Sequence, residues 1–289
     1  MAKRGKKPKP AIKRKAESQR QLAEKRSPLA FRDKRGPFDI VGDVHGCFDE
    51  LLTLLAAMNY RIEQADKNAI VTPPAGRTLA FVGDLVDRGP AAPAVLKLVM
   101  TMARAGTALC VTGNRDAELV RALRGRVSRV SRGMARSLEQ LAGEPESFRA
   151  EALEFLHGLP GHLVLDEGRL VIAHAGLKES LQGRSSAEAR AFALHGDLTG
   201  ENDSDGVPAR GIWAAKYRGK ALVVHGHTPV SEPVWLNNTV NLDTGCAYGG
   251  HLTALRYPER TTFSVPARAI YYHPRRPFQP NAALLVAKR

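Results

Sequence analysis

The chain has 289 residues, 43% of them hydrophobic and 25% charged, which is the make-up of a globular protein and excludes a fibrous or wholly disordered one. No run approaches the roughly 18 uncharged apolar residues of a membrane span, and the N-terminus lacks the apolar core of a secretory leader, so a membrane or secreted protein is not expected. Cys47, Cys110 and Cys246 are too few and too scattered for a disulfide framework and read as reduced thiols in a cytoplasmic protein.

The net charge of +14 is unevenly spread. Residues 1–35 hold 14 of the 43 Lys and Arg but only three of the 29 acids, a net of +11, which leaves +3 for the other 254 residues. This segment has too few apolar residues to form a core and is expected to be a disordered basic tail. As a polycation it could bind RNA or DNA through counterion release, or simply keep the chain soluble.

From Pro37 the pattern becomes strands alternating with helices. FDIVGDV predicts a strand, followed by a helix with Leu51, Leu54, Leu55 and Met58 at helical spacing. RTLAFVGDLV predicts a second strand, followed by a helix over Ala91–Ala105; TALCVTGN predicts a third, with a helix starting just after Asn114. Residues Gly133–Leu159 read as helical with a break near Gly143–Pro145. Strands then dominate: HLVLDEG, RLVIAHAG, ALVVHGHTPV, TVNLDTG, HLTALRY and TTFSVPA. The expected fold is α/β, with two mixed β-sheets packed face to face and flanked by helices, over residues 36–270. Residues 271–289 are Pro-rich and expected to be a loosely attached extension.

Five of these strands end in short polar bursts: GDVHG, GDLVDRG, GNRD, HAG and HGHTP. Open α/β sheets place ligands at strand C-termini, so the five ends should converge on one edge. They offer Asp43, His45, Asp84, Asn114, His174 and His227, a mixed oxygen and imidazole set suited to Mn²⁺, with Fe²⁺ or Zn²⁺ as alternatives. Asp43 and His45 lie two apart on an extended segment and can face one ion, while Asp84 can bridge to a second. Two divalent ions roughly 3.5–4 Å apart clamp a phosphoryl group and acidify a water.

The series GDVHG, GDLVDRG, GN, HAG and GHTP resembles the metallophosphoesterase superfamily, in its phosphoprotein-phosphatase branch. RGIWAAKYRGKALVVHGHTPV and NLDTGCAYGGHLTALRYPE are similar to the phosphatase module of bacterial polynucleotide kinase–phosphatases and to bacterial bis(5'-nucleosyl)-tetraphosphatases. The resemblance covers roughly residues 37–266 and implies a calcineurin-like fold. It implies one metal on Asp43, His45 and Asp84, and a second on Asp84, Asn114, His174 and His227. Arg88 would bind the scissile phosphate, and Asp243 would stand beside the site. His225 is not expected to be a ligand, and His195, His251 and His273 match no motif.

The chain departs from that pattern at two positions, each an arginine where a histidine is expected. The branch reads GNHD or GNHE, where the acid holds a histidine that protonates the leaving oxygen; here the sequence is Asn114-Arg115-Asp116. Related modules read THG where this chain has Ser131-Arg132-Gly133. Arginine does not give up a proton near neutral pH, but it can hydrogen-bond and offset negative charge. Arg115 is therefore expected to help bind substrate and to favour leaving groups that are already stable anions, such as those of phosphoanhydrides. The expected activity is hydrolysis of phosphate esters or anhydrides of nucleotides or polynucleotides. A serine/threonine-type protein phosphatase, or a metal-retaining polyanion-binding protein with little turnover, remain alternatives on the same fold.

Overall fold

The computed structural model describes residues 31–65, 68–202 and 208–273, together with Ser27. The expected basic tail up to Arg26 and the Pro-rich stretch from Pro274 lie outside the described residues. In chain order the first half holds β1 (Phe38–Val41), α1 (Phe48–Ala57), β2 (Arg61–Ala65), β3 (Asn68–Thr72), β4 (Thr78–Phe81), α2 (Ala92–Arg104), β5 (Ala108–Cys110), α3 (Asn114–Leu123), α4 (Arg132–Ala142) and α5 (Glu146–Gly158). The second half holds β6 (His162–Leu165), β7 (Leu170–Ala173), α6 (Ala187–His195), β8 (Asp197–Asn202), β9 (Pro208–Gly211), α7 (Trp213–Lys216), β10 (Leu222–His225), β11 (Val234–Leu236), β12 (Thr239–Asn241), β13 (His251–Tyr257) and β14 (Thr261–Pro266).

Two five-stranded mixed sheets form the centre, ordered β14-β13-β1-β4-β5 and β11-β12-β10-β7-β6. β1, β4 and β5 run parallel in the first, as do β7, β10 and β12 in the second. Strand alternation decides which side chains enter which layer. Phe38 and Ile40 of β1 meet Leu170 and Ile172 of β7 and Leu222 and Val224 of β10 between the sheets. Val41 faces outward onto Leu51, Leu55, Val95 and Val99 in the layer formed with α1 and α2. Val171 and Val223 pack outward on Phe192, Trp213 and Tyr217. Such strands are buried on both faces, which is why their sequences are unbroken apolar runs.

The structure also contains elements that hydrophobic periodicity misses. The hairpins β2–β3 and β8–β9 are separate two-stranded ribbons; β2 and β8 are rich in polar residues, and in β3 only the short alternation of Ala69 and Val71 turns inward onto the outer apolar layer. Both ends of the domain reach beyond the expected limits. Asp166 and Glu167 donate backbone N–H groups to the carbonyls of Lys34 and Arg32, and Phe31 packs on the inter-sheet layer. At the other end Glu50 accepts the Arg268 amide at 2.9 Å and the Tyr271 hydroxyl at 2.8 Å, and the Tyr272 amide donates to Ala247 O at 2.9 Å.

On the outer face of β1 lies Asp39, which is 0% exposed. It accepts Arg77 Nε at 3.0 Å, Arg256 Nε at 3.1 Å and the Tyr60 hydroxyl at 3.0 Å, tying β1 to β13 and to the segments flanking β2 and β4. Removing one member of a buried ion pair leaves the others desolvated and unpaired. Asp39→Ala is therefore expected to lower stability by about 3–5 kcal/mol, read from urea unfolding of the full chain.

Candidate dimetal active site

Six strand ends meet on one edge of the stacked sheets. Asp43 and His45 follow β1; Asp84, Asp87 and Arg88 follow β4; and Asn114 opens α3 after β5. From the second sheet come His174 after β7, His227 after β10 and Asp243 after β12. The loops are joined to one another, with His45 N donating to Asp84 O and Gly226 N to His174 O, both at 2.8 Å. His45, Asp84, Asp87, Arg88 and His227 all have positive φ, between 47° and 77°. Conformations of this kind cost non-glycine residues of order 1–3 kcal/mol each, and they cluster where side-chain aim matters more than local comfort.

The expected ligands come together. Asn114 Oδ1, His174 Nε2 and His227 Nδ1 form a triangle with every side 2.9 Å. Donor atoms 2.0–2.1 Å from one ion lie about 2.9 Å apart when adjacent on an octahedron, so this triangle matches one face of a coordination shell. Asp84 Oδ1 is 3.4 Å from His174 Nε2, and Asp84 Oδ2 is 3.6 Å from His45 Nε2, which puts the two oxygens of Asp84 toward two groups of ligands. Asp43, His45 and Asp84 form a buried cluster whose ligand atoms all lie within 4.8 Å of one another. His45 Nδ1 lies 2.9 Å from Val86 O, which fixes its proton there and leaves Nε2 as a lone pair aimed at the carboxylates. Burial pushes the His45 pKa down to about 3, with Arg88 acting in the same direction, so the ring is the neutral species a metal requires.

The carboxylates are held by amides. His227 N donates to Asp43 Oδ2 at 3.1 Å, and Arg115 N donates to Asp84 Oδ1 at 2.8 Å. Burial, followed by repulsion from Asp243 and Asp84, raises the Asp43 pKa well above its ordinary value. Asp116 does not face the Arg115 guanidinium; its two oxygens accept Leu85 N at 3.0 Å and Gly113 N at 2.9 Å, pinning the loop after β4 to the start of α3. Asp243 accepts Gly245 N at 3.1 Å, and burial raises its pKa to about 7. His225 lies on the outer face against Trp213, its ring 5.3 Å away, and burial lowers its pKa to about 4; it is not among the converging ligands.

Arg88 contacts His45 Nε2 and stands over the Tyr248 ring, 5.0 Å from its centroid. Sequence reasoning passed over Asp87, although it sits inside GDLVDRG. Its Oδ2 lies 3.4 Å from Arg88 Nε and 3.3 Å from Arg115 Nε, so one buried carboxylate positions both arginines. Glu118 holds Arg115 Nη1 at 2.8 Å. Two clefts flank the site. One, of about 230 Å³, runs from Thr112 and Asn114 past Arg121, Arg124, Arg126, Arg190 and His195, with no acid among the described residues that line it. The other, of about 620 Å³, runs from Arg88 past Arg132, Arg136 and Tyr272. Thus Arg132, His195 and His273 line the clefts without belonging to the ligand cluster.

Two sheets face to face, with paired acids, imidazoles and an amide oxygen at their shared edge, define a metal-dependent phosphoesterase. The family model for calcineurin-like phosphoesterases matches residues 36–231, and the chain belongs to that family; it is a metallophosphoesterase, a hydrolase of phosphate bonds that uses divalent metals. Bis(5'-nucleosyl)-tetraphosphatase PrpE (asymmetrical) of Anoxybacillus flavithermus (strain DSM 21510 / WK1) is 44% identical over 81% of this chain and 96% of its own. The protein of the same name from Bacillus subtilis (strain 168) is 41% identical over the same shares of the two chains. A crystal structure provisionally named a diadenosine tetraphosphatase superposes with a TM-score of 0.58 at 26% identity, covering 82% of this chain and 96% of that one.

The ligand loops leave no room for side chains where they cross. A Cβ on Gly226 would collide with Asp43 Oδ1, and one on Gly113 with Asp84. Gly226→Ala is expected to displace Asp43 and weaken Mn²⁺ binding about 10–100-fold, measured by isothermal titration, while the far-UV circular dichroism stays that of the parent.

Proposed function

We propose that this enzyme hydrolyses a phosphoanhydride bond of bis(5'-nucleosyl) tetraphosphates, releasing a nucleoside triphosphate and a nucleoside monophosphate. The observation that carries the reading is Arg115, which replaces the histidine the resemblance expects and which Asp87 and Glu118 hold beside Asp84. A phosphate ester expels an alkoxide that needs a proton, and arginine has none to give. An anhydride expels a nucleotide phosphate, which leaves as an anion and needs charge neutralisation instead. The cleft lined by Arg121, Arg124, Arg126 and Arg190, of which Arg124 also meets Glu154 at 3.8 Å, carries the positive charge a polyphosphate chain calls for, and the names of the relatives point the same way.

Asp43, His45 and Asp84 would hold one divalent ion, and Asp84, Asn114, His174 and His227 the other. Mn²⁺ is the proposed metal because the set is oxygen and imidazole without thiolate. Ions bound there supply Lewis acidity and make a water acidic enough to act as nucleophile at neutral pH. Arg88, held by Asp87, fixes the non-bridging oxygens of the phosphate under attack, a bidentate task suited to a planar guanidinium. Arg115 offsets the charge that gathers on the departing phosphate. Asp116 and Asp243 act on loop geometry rather than on substrate. The proposed setting is the cytoplasm, and among the described residues no helix is long and apolar enough to cross a membrane. The net +11 of residues 1–35 favours terminally phosphorylated RNA as a second substrate.

With Mn²⁺, kcat/KM on diadenosine tetraphosphate is expected to exceed that on glycerol 2-phosphate and on 5'-phosphorylated RNA. Chelation by EDTA should abolish the activity, and Asp84→Ala or Asn114→Ala should remove at least about three orders of magnitude of it. A larger kcat/KM on the RNA end would replace this reading with that of an RNA-end phosphatase. Arg115→His restores a proton donor and is expected to raise activity on glycerol 2-phosphate by about tenfold or more; no gain would show that residue 115 does not set the leaving-group preference.

A further inference from the structure

We propose that the cleft between α4 and the Tyr271–His273 segment is a nucleoside subsite, in which a base lies against Tyr272 and the phosphates next to the reacting one engage Arg132 and Arg136. The inference rests on the reading that the substrate is a nucleotide, and adds where its base binds. Arg88 belongs to both places, touching His45 at the metal ligands and lining the cleft, so a molecule can occupy the two at once. The volume of about 620 Å³ lies within the range of small-molecule sites.

The lining has the two chemistries a nucleotide needs. On the cationic side, Arg132 and Arg136 stand one turn apart on α4, a repulsive like-charge spacing; Glu139 also lines the cleft, but among the described residues neither arginine has an ion pair with a carboxylate. Arg136 Nη1 donates instead to Arg88 O at 3.2 Å, which couples this arginine to the one beside the metal ligands. A bound polyphosphate would relieve the repulsion. On the aromatic side, Tyr272 meets Tyr248 edge to face with centroids 6.2 Å apart, and Arg88 covers a face of Tyr248. Ile270, 57% exposed, adds apolar surface to the cleft. The segment is anchored rather than adrift, through the Tyr271 hydroxyl on Glu50 and the Tyr272 amide on Ala247 O. Rigid rings at the edge of a cationic groove are the usual platform for base stacking. The second cleft has arginines but, among the described residues that line it, no Tyr, Phe or Trp, so of the two only the first offers a ring to a base.

AMP and ribose 5-phosphate differ only by the base, and titrating each into the full chain with Mn²⁺ isolates its contribution. AMP is expected to bind about tenfold tighter than ribose 5-phosphate. Tyr272→Ala should erase that difference, Tyr272→Phe should keep it, and Arg132→Gln with Arg136→Gln should weaken both ligands alike. Equal binding of the two ligands by the parent chain, or a base preference that survives Tyr272→Ala, overturns the proposal. The measurement does not require turnover. A chain that fails to cleave diadenosine tetraphosphate yet loses its base preference on Tyr272→Ala would refute the proposed reaction and uphold the subsite.

Discussion

The burial of several carboxylates side by side is the constraint on which this structure turns. Asp43, Asp84, Asp87, Asp116 and Asp243 are each no more than 3% exposed, and all lie at one edge of the stacked sheets. Removing an isolated carboxylate from water is costly enough that it normally protonates instead. Here the cost is offset in graded ways. Asp116 accepts two backbone amides, Asp87 lies against two guanidinium groups, and Asp43 and Asp84 each accept one backbone amide. Asp43 keeps a strongly raised pKa despite its amide partner, so the polypeptide alone does not satisfy it. The loops therefore assemble an excess of negative charge around a set of neutral donors, and divalent cations complete the balance.

The sheets make that arrangement tolerable. Positive φ at five non-glycine residues and glycines packed directly against carboxylates would be unstable on a free loop. Each loop is short and springs from a strand buried on both faces, so three apolar layers hold its ends in register. Stability gathered in the cores is spent on aiming a few side chains at one another.

Much of this was legible in the sequence, for a physical reason. A strand buried on both faces must be an apolar run, and a ligand loop must follow it at once with small and polar residues, so GDVHG and GDLVDRG stand out against their surroundings. The α/β layering and the convergence of Asp43, His45, Asp84, Asn114, His174 and His227 follow from that contrast. What stayed hidden depends on the third dimension. Asp87 could not be seen to join Arg88 with Arg115, nor Asp116 to pin two loops, because a carboxylate's partners are set by loop paths and not by spacing. The docking of Tyr271 and Tyr272 was hidden for the opposite reason: a Pro-rich, polar stretch gives no periodic signal, and the groups that hold it, the buried Glu50 in the first turn of α1 and the carbonyl of Ala247, are distant in sequence.

The place of β1 in its sheet bears on how the chain comes to be made. β1 is paired on one side with β4, some forty residues later, and on the other with β13, some two hundred residues later, while Asp39 waits for Arg256 across the same gap. During synthesis the first strand therefore emerges with one edge open and a buried acid only partly matched. It stays so until nearly the whole domain has left the ribosome. Pairings of such long range are slow to form, and an unpaired strand edge invites association with other chains. A translation product ending before β13 would hold the residues for both proposed metal positions and still lack the strand that closes the sheet beneath them.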